Sequence, residues 1–189
     1  MNEAIQVTLR VIGVLEQFHI PYHVGGSLAS SIHGVPRQTR DVDLVVVLER
    51  DVVTHLVRAL DSEFYISGEA VEEAIARRAS FNVIHLESGF KVDLFVQGTS
   101  AFDKEEFSRA QLTPLPDAEG RAVYVKSAED MIIRKLLWFR EGGEVSERQW
   151  RDVLGLVKVR WAQLDEPYVR KWAGDLALSD LLDRVLAEA

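Results

Sequence analysis

The sequence predicts an α/β (α+β) domain, a small mixed β-sheet flanked by helices, followed by a C-terminal helical lobe. Three observations carry that reading. Residues 42–48 form an almost unbroken β-branched run of strand length, which suits a strand covered on both faces. Residues 81–86 and 90–96 are two further strand-like segments, and the Glu87-Ser88-Gly89 between them reads as a hairpin. From Ser127 onward the apolar residues recur at helical spacing instead. The predicted division is a domain over residues 1–125 and a helical lobe over 126–189.

Each element has its own signal. Ile5, Leu9, Ile12 and Phe18 recur roughly at a helical period over residues 3–19, and Pro21 stops that helix. A short extended piece, residues 22–24, runs into Gly25-Gly26. Residues 27–33 read as a short helix opened by Ser27 and closed by Gly34, with Pro36 beyond. After the strand at 42–48, Asp51 is placed to cap a helix reaching about Leu60, and another helix covers 69–79 after the Ser67-Gly68 break. Pro114-Leu115-Pro116-Asp117 is a break, and residues 121–125 add an edge strand. In the lobe, Ser127 with Asp130 resembles a capping box. Ala128, Met131, Ile132, Lys135, Leu136 and Phe139 share one helix face, which Gly142-Gly143 ends. The next helix turns Trp150, Val153, Leu154, Val157 and Trp161 inward, and shorter helices fill 165–187.

Composition narrows the function. The 189 residues, 47% hydrophobic and 28% charged, suffice for one sizeable core, or for one core plus a small appended lobe. The longest apolar run, residues 44–48, falls far short of the roughly 20 residues a bilayer span needs, and no basic region precedes an apolar stretch at the amino terminus. A cytoplasmic location and no membrane partner are expected. The absence of cysteine excludes disulfides, thiolate metal sites and a cysteine nucleophile, and fits a reducing compartment. A net charge of -8 argues against strong non-specific binding to DNA or RNA, which draws its affinity from basic groups. A nucleic-acid partner needs a local patch, drawn from Arg37 with Arg40, Arg77 with Arg78, or Arg134, Lys135, Arg140, Arg148 and Arg151.

Three short segments carry chemistry. Asp41 and Asp43 flank Val42 where a strand begins, so period-two geometry points both carboxylates to one side. Two like charges so placed repel unless a cation neutralises them, and Mg²⁺ takes a few carboxylates and completes its shell with water and phosphate oxygens. The alternative is a surface turn. Upstream, Gly25-Gly26-Ser27 lies between a strand and a helix, where glycine lets backbone amides approach a polyphosphate and the helix end adds positive charge. Here the alternative is a plain tight turn. Downstream, Asp93 sits amid apolar neighbours, costly to bury unless paired or metal-bound. Alternation puts it on the same face as Lys91, so an ion pair between them is the competing assignment.

Taken together, Gly25-Gly26-Ser27, then Asp41 and Asp43 opening a strand, then Asp93 on a later strand, resemble the DNA polymerase beta-like nucleotidyltransferase superfamily, whose signature has these parts in this order. The stretch from Ser27 through Gly34, Arg37 and Thr39 to Asp43 is especially similar to a minimal bacterial branch that includes AbiEii-type toxin nucleotidyltransferases. The likeness covers about residues 23–96. It implies a nucleotidyltransferase fold, with Asp41, Asp43 and Asp93 as catalytic and metal residues holding two Mg²⁺ ions, or Mn²⁺ in their place. A nucleoside monophosphate then moves from a nucleoside triphosphate to an acceptor hydroxyl, with Asp93 taking the hydroxyl's proton. Gly25, Gly26 and Ser27 hold the phosphates. AbiEii-like enzymes also place a lysine on the helix after the catalytic domain and an Arg-Asp pair on the next helix. The matching residues are Lys135, with a catalytic and phosphate-neutralising role, and Arg151 with Asp152, beside Arg148. Many superfamily members carry a long polar residue just after the Gly-Gly-Ser turn, whereas here Leu28, Ala29, Ser30 and Ser31 are small or apolar. Triphosphate neutralisation then falls to Arg37, Arg40 or Lys135. His33 reads as a packing or capping residue before a ligand. The expected acceptor is a tRNA or protein hydroxyl, as for a toxin with an antitoxin partner. The alternatives are a small antibiotic, as for an aminoglycoside or lincosamide adenylyltransferase, and a non-catalytic nucleotide-binding partner protein.

Overall fold

A computed structural model describes residues 3–36, 41–115, 118 and 120–189. In chain order they form α1 (Glu3–Gln17), β1 (Tyr22–Val24), α2 (Gly26–His33), β2 (Asp41–Val46), α3 (Val53–Leu60), β3 (Phe64–Tyr65), α4 (Gly68–Arg77), β4 (Ser80–His85) and β5 (Lys91–Val96). There follow α5 (Ala101–Ser108), β6 (Gln111–Pro114), β7 (Ala122–Val125), α6 (Ala128–Glu141), α7 (Glu147–Arg160), α8 (Glu166–Asp175) and α9 (Ser179–Glu188). The chain divides into two compact units. The first takes the residues up to Leu28 and the segment that ends at Val125, and the second takes the rest of α2 with Lys126–Ala189.

In the first unit the strands make one mixed sheet in the order β3-β4-β5-β2-β1-β7-β6. β2 and β5 pair in parallel, β4 with β5 and β1 with β2 antiparallel. Alternation explains which side is core. Val42, Leu44 and Val46, with Val92, Leu94 and Val96 beside them and Phe81 and Val83 on β4, are buried. α1 packs on β2, α4 on β4 and β5, and α3 lies against both helices. Only alternate residues of β2 are buried, which corrects the expectation of a strand covered on both faces. The positions between them include the two acids, whose charge favours partial access to water.

Other differences are local. Asp51 does not cap a helix: it sits inside a 3₁₀ turn, and α3 starts at Val53 after Val52, which makes no side-chain cap. The strand expected at the sheet edge, β7, lies between β1 and β6, and β6 forms the edge with Pro114 at its end. That is where a proline lacking its N–H is tolerated. α5 was not anticipated, although Ser100 and Asp103 form a reciprocal capping box at its start, each side chain bonding the other's backbone N–H at 3.0 Å.

In the second unit α6 packs on α7 and α8, and α9 on α7 and α8. Ser127 caps α6 by accepting from the Asp130 N–H at 3.1 Å, and its hydroxyl donates to Asp130 Oδ2 at 2.6 Å. The other oxygen of that buried carboxylate accepts from the Tyr168 hydroxyl at 2.5 Å, tying α6 to α8. The inward stripe of α7 is Trp150, Val153, Leu156 and Val157. Leu154 and Trp161 stay half-exposed, a correction that follows from the helical period, which brings Leu156 and Val157 under Val153. Among the described residues no helix is long and apolar enough to cross a membrane.

The central position of Leu44, 0% exposed on β2, sets a test of this core. Leu44→Ala should lower the unfolding free energy by about 3 kcal/mol, as large-to-small changes at fully buried leucines do. Urea denaturation followed by circular dichroism measures it.

Candidate functional site

The register of β2 against β5 builds the site. Asp41 stands opposite Lys91, Asp43 opposite Asp93, and Val45 opposite Phe95. Paired residues of adjacent strands present their side chains to the same face, so the three acids and Lys91 share the face opposite the Val42, Leu44, Val92 and Leu94 core. β4 extends this row, since Asn82 pairs with Asp93. β1 adds His23, opposite Val45, fully buried and 5.1 Å ring to ring from Phe107 of α5. Asn82 and His23 were not anticipated, because their place depends on strand pairing that the sequence does not display.

The glycine turn arrives at the same point. The Gly25 N–H donates to the Asp43 carbonyl at 2.8 Å, one rung beyond the Val24–Leu44 pair. Gly26 then turns left-handed, with φ +52°, and opens α2. A Cβ at Gly26 would fall 1.5 Å from Asp43 Oδ2 and 2.5 Å from its Cγ. Only glycine allows the turn to lie against that carboxylate. Ser27 follows, buried in the first turn of α2, at the helix end whose amide groups favour negative charge.

The fit to a cation has two sides. Among the described residues, no three histidine, aspartate or glutamate side chains are already drawn together as a metal shell. The donors nevertheless suit a hard cation, being carboxylates on adjacent strands at a polar face. A stand-in cation is also present: Lys91 Nζ lies 2.7 Å from Asp93 Oδ2. The hydrogen bond to Asp93 chiefly holds the Lys91 pKa above the usual lysine value, and attraction to Asp93, Asp41 and Asp43 adds to it. All three carboxylates therefore act on one point in space.

The remaining candidates lie in the second unit or outside the description. Arg37 and Arg40 fall outside the described residues. Lys135 points inward from α6, 2% exposed, and donates to Asp152 Oδ2 at 2.8 Å and Gln149 Oε1 at 3.0 Å, both on α7. Arg151 is exposed and pairs with Glu147 at 3.3 Å. Arg148 is exposed on the same helix. His33 packs at the end of α2, where its Nε2 lies 2.8 Å from the Lys126 carbonyl and burial lowers its pKa below 6.5. Its own carbonyl accepts from Arg160 Nε at 3.1 Å.

No protein-family model matches this sequence, and no curated protein does. Solved structures share its fold. The antibiotic-resistance factor ANT(2'')-Ia matches over 100% of both chains with a TM-score of 0.55 at 17% identity. An antigenic nucleotidyltransferase-like protein from Paracoccidioides brasiliensis matches over 95% of this chain and 91% of its own, with a TM-score of 0.54 at 18% identity. The lincosamide antibiotic adenylyltransferase LnuA, lincomycin-bound, matches over 84% and 98%, with a TM-score of 0.50 at 12% identity. The mixed sheet flanked by helices is therefore the fold that these nucleotidyltransferases adopt.

Two outcomes follow from this geometry. Gly26→Ala places a methyl group on the Asp43 carboxylate at a left-handed backbone position, and should cost about 1–3 kcal/mol of stability in urea unfolding. For His33, the folded pKa lies below the unfolded one, so its contribution is complete above about pH 6.5 and is lost as the pH falls through the lower folded value. The thermal midpoint of the wild type should accordingly drop more steeply than that of His33→Gln between about pH 7.5 and pH 5. Parallel melting curves of the two proteins measure the difference.

Proposed function

We propose that this chain is a metal-dependent nucleotidyltransferase that moves a nucleoside monophosphate from a nucleoside triphosphate to an acceptor hydroxyl. The observation that carries the reading is the register of Asp43 with Asp93, with Asp41 beside them on the same face, directly under the Gly26 turn. Asp41, Asp43 and Asp93 hold the Mg²⁺ or Mn²⁺ ions. Divalent cations bound there supply Lewis acidity, lowering the hydroxyl's pKa and offsetting the charge of the phosphates. The backbone amides of Gly26 and Ser27 hold the terminal phosphates at the start of α2, while Gly25 sets the turn through its bond to the Asp43 carbonyl. Asp93, in the middle of β5, accepts the proton of the acceptor hydroxyl. The oxygen–hydrogen bond breaks, an oxygen–phosphorus bond forms, and pyrophosphate leaves with the electron pair of the broken anhydride bond.

On the acceptor, one observation favours a small hydroxylated molecule. Two structures that share the fold over nearly their own full length are an antibiotic-resistance factor and a lincomycin-bound antibiotic adenylyltransferase. A tRNA or protein acceptor, as for a toxin with its antitoxin, is the second reading, and rests on the likeness of the Ser27-to-Asp43 segment and of Lys135, Arg151 and Asp152 to AbiEii-type enzymes.

Each labelled nucleoside triphosphate, incubated with the protein, Mg²⁺ and a cell extract, separates these readings. Label should move onto an acceptor and disappear with EDTA, and Asp41→Asn or Asp43→Asn should reduce transfer by about 10²-fold or more. Label in small molecules supports an antibiotic-type acceptor, and label in RNA or protein supports the toxin reading. Absence of transfer, or transfer indifferent to both substitutions, sinks the enzymatic reading.

A further inference from the structure

Lys91 has a place in the fold that the proposed chemistry leaves unused. It opens β5 two residues before Asp93, so its side chain emerges on the acid face, and its Cα pairs with that of Asp41. The ammonium meets Asp93 Oδ2 at 2.7 Å and feels the attraction of Asp41 and Asp43 as well. A divalent cation bound by these carboxylates would have to share the same few ångströms with this positive charge. At 4 Å, like unit charges repel by about 1 kcal/mol in water and by several times that near a protein surface. The two therefore exclude each other. Lys91 is also free to leave, since its side chain is 42% exposed, against 18% for Asp93, and its four-carbon stem swings a strongly hydrated charge into water at little cost.

We propose that Lys91 is the tethered counter-cation of this face, paired with Asp93 beside Asp41 and Asp43 when no metal is bound and displaced into solvent when a divalent cation enters. The reading rests on the assignment of these acids to a metal. In the metal-free protein Asp93 is turned to the lysine. Lys91 then has two effects of opposite sign. In the metal-free protein it offsets the repulsion among the acids. In the metal-bound protein it lowers apparent affinity, because only the fraction of molecules with the ammonium away is competent to bind.

Isothermal titration of the purified protein with Mn²⁺, with melting curves in EDTA and in Mn²⁺, tests this. Lys91→Met should bind Mn²⁺ about tenfold more tightly than the wild type. Its melting midpoint in EDTA should fall, and the rise on adding Mn²⁺ should exceed that of the wild type. Lys91→Arg, which restores the charge, should stay within about twofold of the wild-type affinity. Lys91→Gln serves as the neutral variant if the methionine variant fails to fold. A neutral variant with wild-type circular dichroism and unchanged or weaker Mn²⁺ affinity overturns the proposal, since a merely structural ion pair would change stability alone. Failure of the wild type itself to bind Mn²⁺ overturns the metal assignment and this proposal with it, so the wild-type titration tells the two failures apart.

Discussion

Ionised carboxylates set side by side on neighbouring strands repel, and that repulsion organises the rest of the site. Asp43 and Asp93 are direct register partners, with Asp41 one alternation along β2. At 4 Å two such charges oppose each other by about 1 kcal/mol in water, rising to about 4 kcal/mol where the surroundings are less polar. A fold that keeps three of them on one face has to supply positive charge. Among the described residues, the ammonium of Lys91 and the backbone amides at the glycine turn, where α2 begins, supply it.

The strands tolerate the acids because their other face is well packed. Asp43 lies between Val42 and Leu44 and Asp93 between Val92 and Leu94, all four aliphatic groups buried in the core, and Val42 also follows Asp41. A slip of one residue in the β2–β5 register would turn the carboxylates into that core. Burial of the aliphatic residues thus fixes where the acids stand. Gly26 contributes at the same spot by what it lacks, since any side chain there would collide with the Asp43 carboxylate.

Much of this was legible in the sequence, and the limits have physical causes. Period-two alternation is local, so it placed Asp41 with Asp43 and Lys91 with Asp93 on common faces, and the helical period placed Lys135 inside its lobe. Pairing across a parallel crossover is not local, and nothing in the residues 42–48 or 90–96 announces that Asp43 meets Asp93 and not a neighbour. Asn82 and His23 lie on antiparallel neighbours, where the residue each one faces depends on a register that the sequence leaves open. β3 is two residues long and β6 only four, too short for a period to emerge. α5 has little apolar patterning, and only its Ser100–Asp103 capping box marks it. Both readings of Asp93, metal ligand and partner of Lys91, rest on the same alternation, and the structure realises the ion pair.

Two lysine–aspartate pairs then invite comparison, because their geometry is nearly the same and their surroundings are not. Lys91–Asp93 spans 2.7 Å and Lys135–Asp152 spans 2.8 Å. The first pair is 42% and 18% exposed, the second 2% and 8%. Breaking an exposed pair returns both charges to water, and such pairs are worth about 0–1 kcal/mol. Breaking a buried one strands an uncompensated charge at a cost of about 3–5 kcal/mol. Lys135 also donates to Gln149, so Asp152 and Gln149 both tie it to α7. A phosphate could claim Lys135 only by compensating Asp152 as well. The same chemistry therefore yields an exchangeable counter-charge on the sheet and a fixed pin between α6 and α7, and burial decides which is which.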